Sequence, residues 1–340
     1  SLPRQRAGLP LTVETNNMDN IVSHLKQSRN VLITSHINPD GDAIGSLVAM
    51  GVALQAYGIE ATLFNESPIP AVYRFLPGVE RITRRLKCEN YFDTAIVLDC
   101  GRLDRVGDKA EIVSAVPVVI NIDHHVTNSG FGDFKIIDAS ACATAEIVHR
   151  LIKAMGLSID QTMATSIYTG IVTDTGSFRF SNTNHAAFAI CDEMVQKGVQ
   201  PHNVAQHVYG TYSLGRIKLL NLALESIEIS NNGNVSMMML TRQMLDETGT
   251  HAEDADGLIN YARRIEDVKL AAMIQEQENG RHGQGGIKEY HVSLRSDGSV
   301  DVAAIAAGFG GGGHPSAAGF GIKTTLSDLK GKLIQLSETI

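Results

Sequence analysis

Four short clusters carry imidazoles and carboxylates in patterns that could hold metal ions. Ser35-His36-Ile37-Asn38-Pro39-Asp40-Gly41-Asp42 offers one imidazole and two carboxylates directly after an apolar run. Leu98-Asp99-Cys100 ends a second apolar run with an acid, and Ile122-Asp123-His124-His125 ends a third with an acid and two imidazoles. Thr173-Asp174-Thr175-Gly176 closes a helical pattern. Together they supply His and Asp donors without cysteine, which suits Mn²⁺ or Mg²⁺ better than structural zinc. One carboxylate can bridge two ions about 3.5–4 Å apart, the spacing of two-metal hydrolysis. Taken singly, each cluster has an ordinary explanation. Asp40-Gly41 is a common turn, Asp99 could cap a strand, a lone His124 or His125 could be a satisfied polar residue, and Asp174 could be a plain helix end. Their shared placement at element ends argues for a site.

The elements that must position them follow from the apolar pattern. Val31–Ser35, Thr94–Leu98 and Val118–Ile122 are continuous apolar runs that fit a parallel sheet covered on both faces. A helix is expected from Asp42 to Tyr57, and others at 142–155, 160–173, 184–197 and 213–225. This is the grammar of a doubly wound α/β domain, whose strands all aim their carboxyl ends into one crevice. After about residue 230 the pattern changes, following the turn signal Asn231-Asn232-Gly233. Strands are expected at Val235–Leu240, Leu270–Gln277 and Glu289–Leu294, helices at 254–264 and 326–337, and a glycine-rich loop at Gly308–Gly313. The division is a catalytic domain at 17–209, a largely helical connector at 210–231 and a smaller α+β domain at 232–340, across a cleft.

A chain of 340 residues suits two domains. No run of about 18 apolar residues predicts a membrane span, and Ser1–Thr15 lacks the apolar core of a signal peptide. Cys88, Cys100, Cys142 and Cys191 lie far apart and form no CxxC pair, so reduced thiols in a cytoplasmic protein are expected. The net charge of −8 disfavours a surface built for long nucleic acid and favours a small phosphorylated substrate. The basic stretch Arg81–Lys87 and the pair Arg263-Arg264 read as solvated helix faces or as phosphate contacts, and Met237–Met239 reads as strand core.

With these residues in view, HINPDGDAIGS at 36–46, LDC at 98–100, DHH at 123–125 and GIVTDTGSF at 170–178 resemble the four motifs of the DHH phosphoesterase superfamily. GFGGGGHPSAAGF at 308–320 resembles the signature of the accompanying DHHA1 domain. The whole resembles the membrane-free branch of NrnA-like nanoRNases and pAp phosphatases. The resemblance implies that His36 and Asp40 hold one ion and Asp42, His124 and Asp174 the other, with Asp99 bridging. It places His125 at the scissile phosphate and Asp123 behind a ligand imidazole. It assigns Arg295, Gly311, Gly312, Gly313 and His314 to substrate binding, where an arginine fork and glycine amides can grip phosphate. The implied partners are short single-stranded RNA and pAp (3′-phosphoadenosine 5′-phosphate), with no long duplex and no membrane; a homodimer stays open. The expected activity is Mn²⁺-dependent release of mononucleotides, and of AMP from pAp. Rival readings are a cyclic- or linear-dinucleotide phosphodiesterase and a nucleotide-binding regulator without turnover.

Overall fold

A computed structural model describes residues 11–86, 91–210, 212–277 and 286–340. Two compact units divide at Thr211/Tyr212.

The first unit is built on a five-stranded parallel sheet in the order β2-β1-β3-β4-β5. Its strands are β1 (Asn30–Ser35), β2 (Glu60–Phe64), β3 (Thr94–Leu98), β4 (Val118–Asp123) and β5 (Phe134–Ile137). Its helices are α1 (Leu11–Leu25), α2 (Gly41–Ala56), α3 (Ala110–Ser114), α4 (Thr144–Ala154), α5 (Gln161–Asp174), α6 (His185–Gln196) and α7 (Pro201–Tyr209). Strand parity sorts the core into two layers, because successive side chains point to opposite faces. Val31, Ile33, Ile96, Leu98, Ile120 and Ile122 pack with the helices of one face. Leu32, Ala95, Val97 and Val119 pack with Val106 and Val113 on the other. The expected doubly wound sheet is therefore present. Parallel strands buried on both faces have no polar side, so β1, β3 and β4 read as unbroken apolar runs.

Helix α2 is apolar nearly all round, with thirteen buried residues from Gly41 to Leu54. It lies between the sheet and the helices α4 and α5, so it needs no solvent face. Its approach to α5 is backbone to backbone. A Cβ on Gly45 would strike the carbonyl oxygen of Ser166 and lie 3.2 Å from Gly170 N, and one on Gly41 would strike Thr173. A Cβ on Gly170 would meet Ala145 Cβ at 2.7 Å and Asp42 Oδ1 at 3.0 Å. These absent side chains let Asp42 and Asp174, on two different helices, come close.

The second unit contains a six-stranded mixed sheet, β10-β11-β9-β8-β7-β6, in which only the β7–β8 pairing is parallel. Its strands are β6 (Glu228–Ile229), β7 (Val235–Leu240), β8 (Leu270–Glu276), β9 (Lys288–Ser296), β10 (Gly312–His314) and β11 (Ala317–Thr324). Its helices are α8 (Leu214–Glu225), α9 (Arg242–Thr248), α10 (Ile259–Arg263), α11 (Val302–Gly308) and α12 (Leu326–Ser337). Met237 and Met239 face α11 and α12, whereas Met238 faces α8 and α10, so the methionine run is core as expected.

The stretch 210–231 contains α8 and β6, which lie in the second unit, and Thr211 lies outside the described residues. Several expectations are corrected. The helix expected at 254–264 is a 3-10 turn, Ala252–Ala255, and the short α10. Gly257, at φ +79°, breaks it. Arg81 ends a 3-10 turn, and 82–86 form no helix; Arg84 Nε donates to the Glu66 carbonyl. Lys87 and Cys88 lie outside the described residues, as does Ser1–Pro10. Among the described residues, Cys100, Cys142 and Cys191 are buried free thiols, and no helix is long and apolar enough to cross a membrane.

The α2–α5 contact gives a direct test. Gly45→Ala should lower stability by about 1–3 kcal/mol, because the obstacle is backbone and cannot rotate away. Gly331→Ala, on exposed α12 with nothing within 4 Å of the added methyl, should be neutral or stabilising. Urea denaturation of the two variants checks this, and equal effects would disprove the backbone contact.

Candidate metal centre

Strand register builds the floor of the site. Ser35 pairs with Leu98, and Leu98 pairs with Ile122. The next residue of each parallel strand is His36, Asp99 or Asp123, so three polar side chains emerge side by side at one sheet edge. The Asp99 N–H continues the ladder by donating to the Ile122 carbonyl at 3.0 Å. Beyond it the chain turns sharply: Asp99 has φ +54°, in the left-handed region. That conformation costs a non-glycine residue roughly 1–2 kcal/mol and is characteristically stored at functional sites.

The two oxygens of Asp99 face different partners. Oδ2 lies 3.5 Å from His36 Nε2. Oδ1 lies 3.7 Å from His124 Nε2 and 3.6 Å from His125 Nδ1, and accepts the Thr144 hydroxyl at 3.0 Å. His36, Asp40 and Asp99 form one group of donors with ligand atoms within 4.8 Å of one another; Asp42, Asp99 and His124 form a second. His124 Nε2 is also 3.9 Å from Asp42 Oδ2 and 3.7 Å from Asp174 Oδ2. One imidazole nitrogen thus faces three carboxylates at nearly equal distance. Bonds of about 2.0–2.3 Å from one ion put its ligand atoms at such separations.

Each donor is aimed by a neighbour. The Nδ1 atoms of His36 and His124 pair with the carbonyls of Ile37 (2.8 Å) and Ala141 (3.4 Å), which leaves Nε2 to the carboxylates. Asp40 caps α2, with Oδ1 accepting from the amides of Asp42 and Ala43. Asp42 is held by another helix altogether. The N-cap of α4 is Ala143, whose side chain has no oxygen to cap with. Asp42 fills that role from a distance, Oδ2 accepting from Thr144 N (2.6 Å) and Oδ1 from Ala145 N (2.8 Å) and the Ser46 hydroxyl (3.3 Å). Asp174, the last residue of α5, accepts from Asn182 Nδ2 at 2.8 Å. Asp123 is fully buried; Oδ1 accepts from His124 N and His125 Nδ1, and Oδ2 from Asn128 Nδ2.

The electrostatics are those of a site short of positive charge. Burial and the charge of Asp99 hold the Asp42 carboxyl well above its ordinary value. Burial and the charges of Asp40 and Asp99 do the same for Asp174. Asp99 is held far below the usual range; burial opposes this, but the contact with His36 and the imidazoles of His125 and His124 outweigh it. Burial opposes protonation of His125 as well, yet its hydrogen bond to Asp123 and the nearby carboxylates raise it to about 9. The thiol of Cys100 is pushed up to about 12 by burial and that of Cys142 is raised further, so neither competes as a thiolate ligand. The donors are therefore imidazole nitrogen and carboxylate oxygen alone, a set that fits hard divalent cations.

The first unit thus brings together His36, Asp40, Asp42, Asp99, Asp123, His124, His125 and Asp174. Thr144, Asn128 and Asn182 were missed in the sequence. Only an isolated Thr before an apolar helix and asparagines in turn-like stretches mark them, and such residues are common.

In the second unit, Arg295 lies on β9, half-buried, and donates to the Leu294 carbonyl at 2.9 Å. It makes no ion pair among the described residues, and burial depresses its basicity. The glycine segment departs from the expected loop, since Gly312, Gly313 and His314 pair with Gly319, Ala318 and Ala317 of β11. Two of its amides are spent: Gly310 N and Gly311 N donate to the carbonyls of Ala307 and Ala306, ending α11. Gly311 and Gly313 are required by close backbone approach, where a Cβ would strike the Gly319 and Ala317 carbonyl regions.

Comparison with known proteins follows the same division. Residues 30–171 match the model of the DHH family, N-terminal domain, and residues 233–340 match that of the DHHA1 domain. The chain is 32% identical over 296 residues to the bifunctional oligoribonuclease and PAP phosphatase NrnA of Thermus thermophilus, covering 86% of this chain and 84% of that protein. It is 27% identical to the protein of the same name from Bacillus subtilis, covering 86% and 89%. A crystal structure of an exopolyphosphatase-related protein from Bacteroides fragilis superposes with a TM-score of 0.84 at 27% identity, covering 96% of each chain.

The crowding of carboxylates predicts the behaviour of metal-free protein. The folded Asp174 carboxyl holds its proton above the pH at which an unfolded aspartate loses it. Its contribution is therefore present at low pH and lost as pH rises through the folded value. Asp174→Asn mimics the protonated form. In EDTA at pH 8 it should raise stability by roughly 1 kcal/mol, about 2–4 °C in Tm. A lower Tm than wild type under those conditions would show that the carboxylates do not repel one another.

Proposed function

This chain belongs to the DHH family, and on that premise we propose that it hydrolyses short oligoribonucleotides to mononucleotides and removes the 3′-phosphate of pAp to give AMP. The observation that carries the reading is the splayed Asp99 carboxylate, one oxygen toward His36 and the other toward His124. The relatives named as oligoribonucleases and PAP phosphatases supply the substrate class. The buried thiols suit a reducing compartment, and the cytoplasm is the proposed location.

His36, Asp40 and Asp99 would hold one divalent cation, and Asp42, Asp99, His124 and Asp174 a second, Mn²⁺ by preference and Mg²⁺ as substitute. Two such cations supply Lewis acidity that lowers the pKa of water and offsets charge on phosphoryl oxygens. Asp123 fixes His125 through Nδ1 and keeps the ring protonated at neutral pH. His125 then offers positive charge and a proton donor to the phosphoryl group in the transition state. Arg295 recognises the substrate's second phosphate, with His314 and Gly311–Gly313 shaping the same subsite. With Nη1 on the Leu294 carbonyl and no ion pair among the described residues, the rest of the guanidinium fork is left for phosphate oxygens.

Two predictions follow from this assignment. Asp99→Ala should cut Mn²⁺-dependent hydrolysis of a dinucleotide by about three orders of magnitude or more, since both cations lose a shared ligand. Activity within tenfold of wild type would sink the two-metal reading. Arg295→Ala should cost about 2–3 kcal/mol in kcat/KM toward pAp or a dinucleotide. Hydrolysis of bis-p-nitrophenyl phosphate, which has no second phosphate, should hardly change. Equal losses on both substrates would place Arg295 in support of the reaction centre instead.

A further inference from the structure

We infer that Thr144 is a positioning residue of the metal centre, one that sets the affinity for divalent cations through the bridging carboxylate. Thr144 is the first residue of α4 and is wholly buried. It contributes two different donors to two different acids. Its hydroxyl donates to Asp99 Oδ1 at 3.0 Å, and its backbone N–H donates to Asp42 Oδ2 at 2.6 Å.

The geometry gives the hydroxyl a specific task. A carboxylate that bridges two cations must keep one oxygen turned to each, and rotation about the Cβ–Cγ bond would swing both away. Among the described residues, Thr144 is the one non-imidazole hydrogen-bond donor to the Asp99 carboxylate. That bond anchors Oδ1 on the side of His124 and His125, whose ring nitrogens lie 3.7 and 3.6 Å away. The opposite oxygen is thereby held toward His36. Because Thr144 starts a helix whose first two amides bind Asp42, α4 places both acids with one rigid element. Asp42 is fixed by backbone and is insensitive to the side chain at 144, whereas Asp99 depends on the hydroxyl. Loss of such an outer hydrogen bond typically costs 10–100-fold in metal affinity.

The inference rests on the two-metal reading, and the test separates them. Metal-free wild type, Thr144→Val and Thr144→Ser are titrated with MnCl₂ by calorimetry, and their melting temperatures are measured in EDTA. Valine keeps the branched shape and the backbone N–H but removes the hydroxyl; serine keeps the hydroxyl and removes the methyl. Thr144→Val should bind at least one Mn²⁺ about 10–100-fold more weakly than wild type, with Thr144→Ser within about threefold. Should the valine variant not fold, Thr144→Ala carries the same comparison. Wild-type affinity in the valine or alanine variant overturns the inference, as does a serine variant as weak as valine, which would make the methyl the important group. Wild-type protein that takes up no Mn²⁺ overturns the two-metal reading itself.

Discussion

Asp99 is the point on which the first unit turns. Three imidazoles outweigh the burial of Asp99 and keep it ionised, but its charge then holds the buried carboxyls of Asp42 and Asp174 above their ordinary range. The surrounding structure spends much of its specificity on keeping these groups together. Parallel register sets His36, Asp99 and Asp123 in a row. Glycines on α2 and α5 bring Asp42 toward Asp174, and the N-terminus of α4 holds Asp42 by its amides. The left-handed backbone at Asp99 is the local strain that this framework sustains. Bound divalent cations would resolve the conflict by turning mutual repulsion into shared coordination.

What could be read from the sequence was what periodicity and position record. The strands β1, β3 and β4 are mainly apolar because both faces are covered, and α12 falls at 326–337 as expected. His36, Asp99 and His124 were legible because each directly follows one of these strands. The short β2 and β5 were not, since an edge strand with exposed or polar positions has no run to detect. The expected helix at 254–264 failed at Gly257, whose positive φ a helix cannot contain. The residues that aim the ligands were invisible for a different reason. Thr144 meets Asp42 and Asp99 only after folding brings distant segments together, and no spacing rule connects them.

The glycines show how one composition hides different physics. On α2 and α5, glycine is absence of volume, a gap through which two helix backbones touch. In the second unit, Gly310 ends α11 with φ +80°, whereas Gly311 and Gly313 let one strand lie close against the next. A run that reads as a flexible anion-binding loop is thus largely committed to capping and strand packing. In the proposed subsite, recognition of phosphate would then fall mainly on side chains, foremost on Arg295, which makes no ion pair among the described residues.

The dispersal of the proposed ligands has a consequence for how the protein is made. His36 follows β1, Asp99 follows β3, His124 follows β4, and Asp174 comes only at the last turn of α5. A nascent chain that has not yet delivered α5 lacks one ligand of the second cation, and one that lacks α4 cannot hold Asp42. Early fragments therefore expose acids without a complete cage to trap ions prematurely. On the proposed ligand set, full cation uptake would be a late event in synthesis, a chemical checkpoint that only a finished first domain could pass.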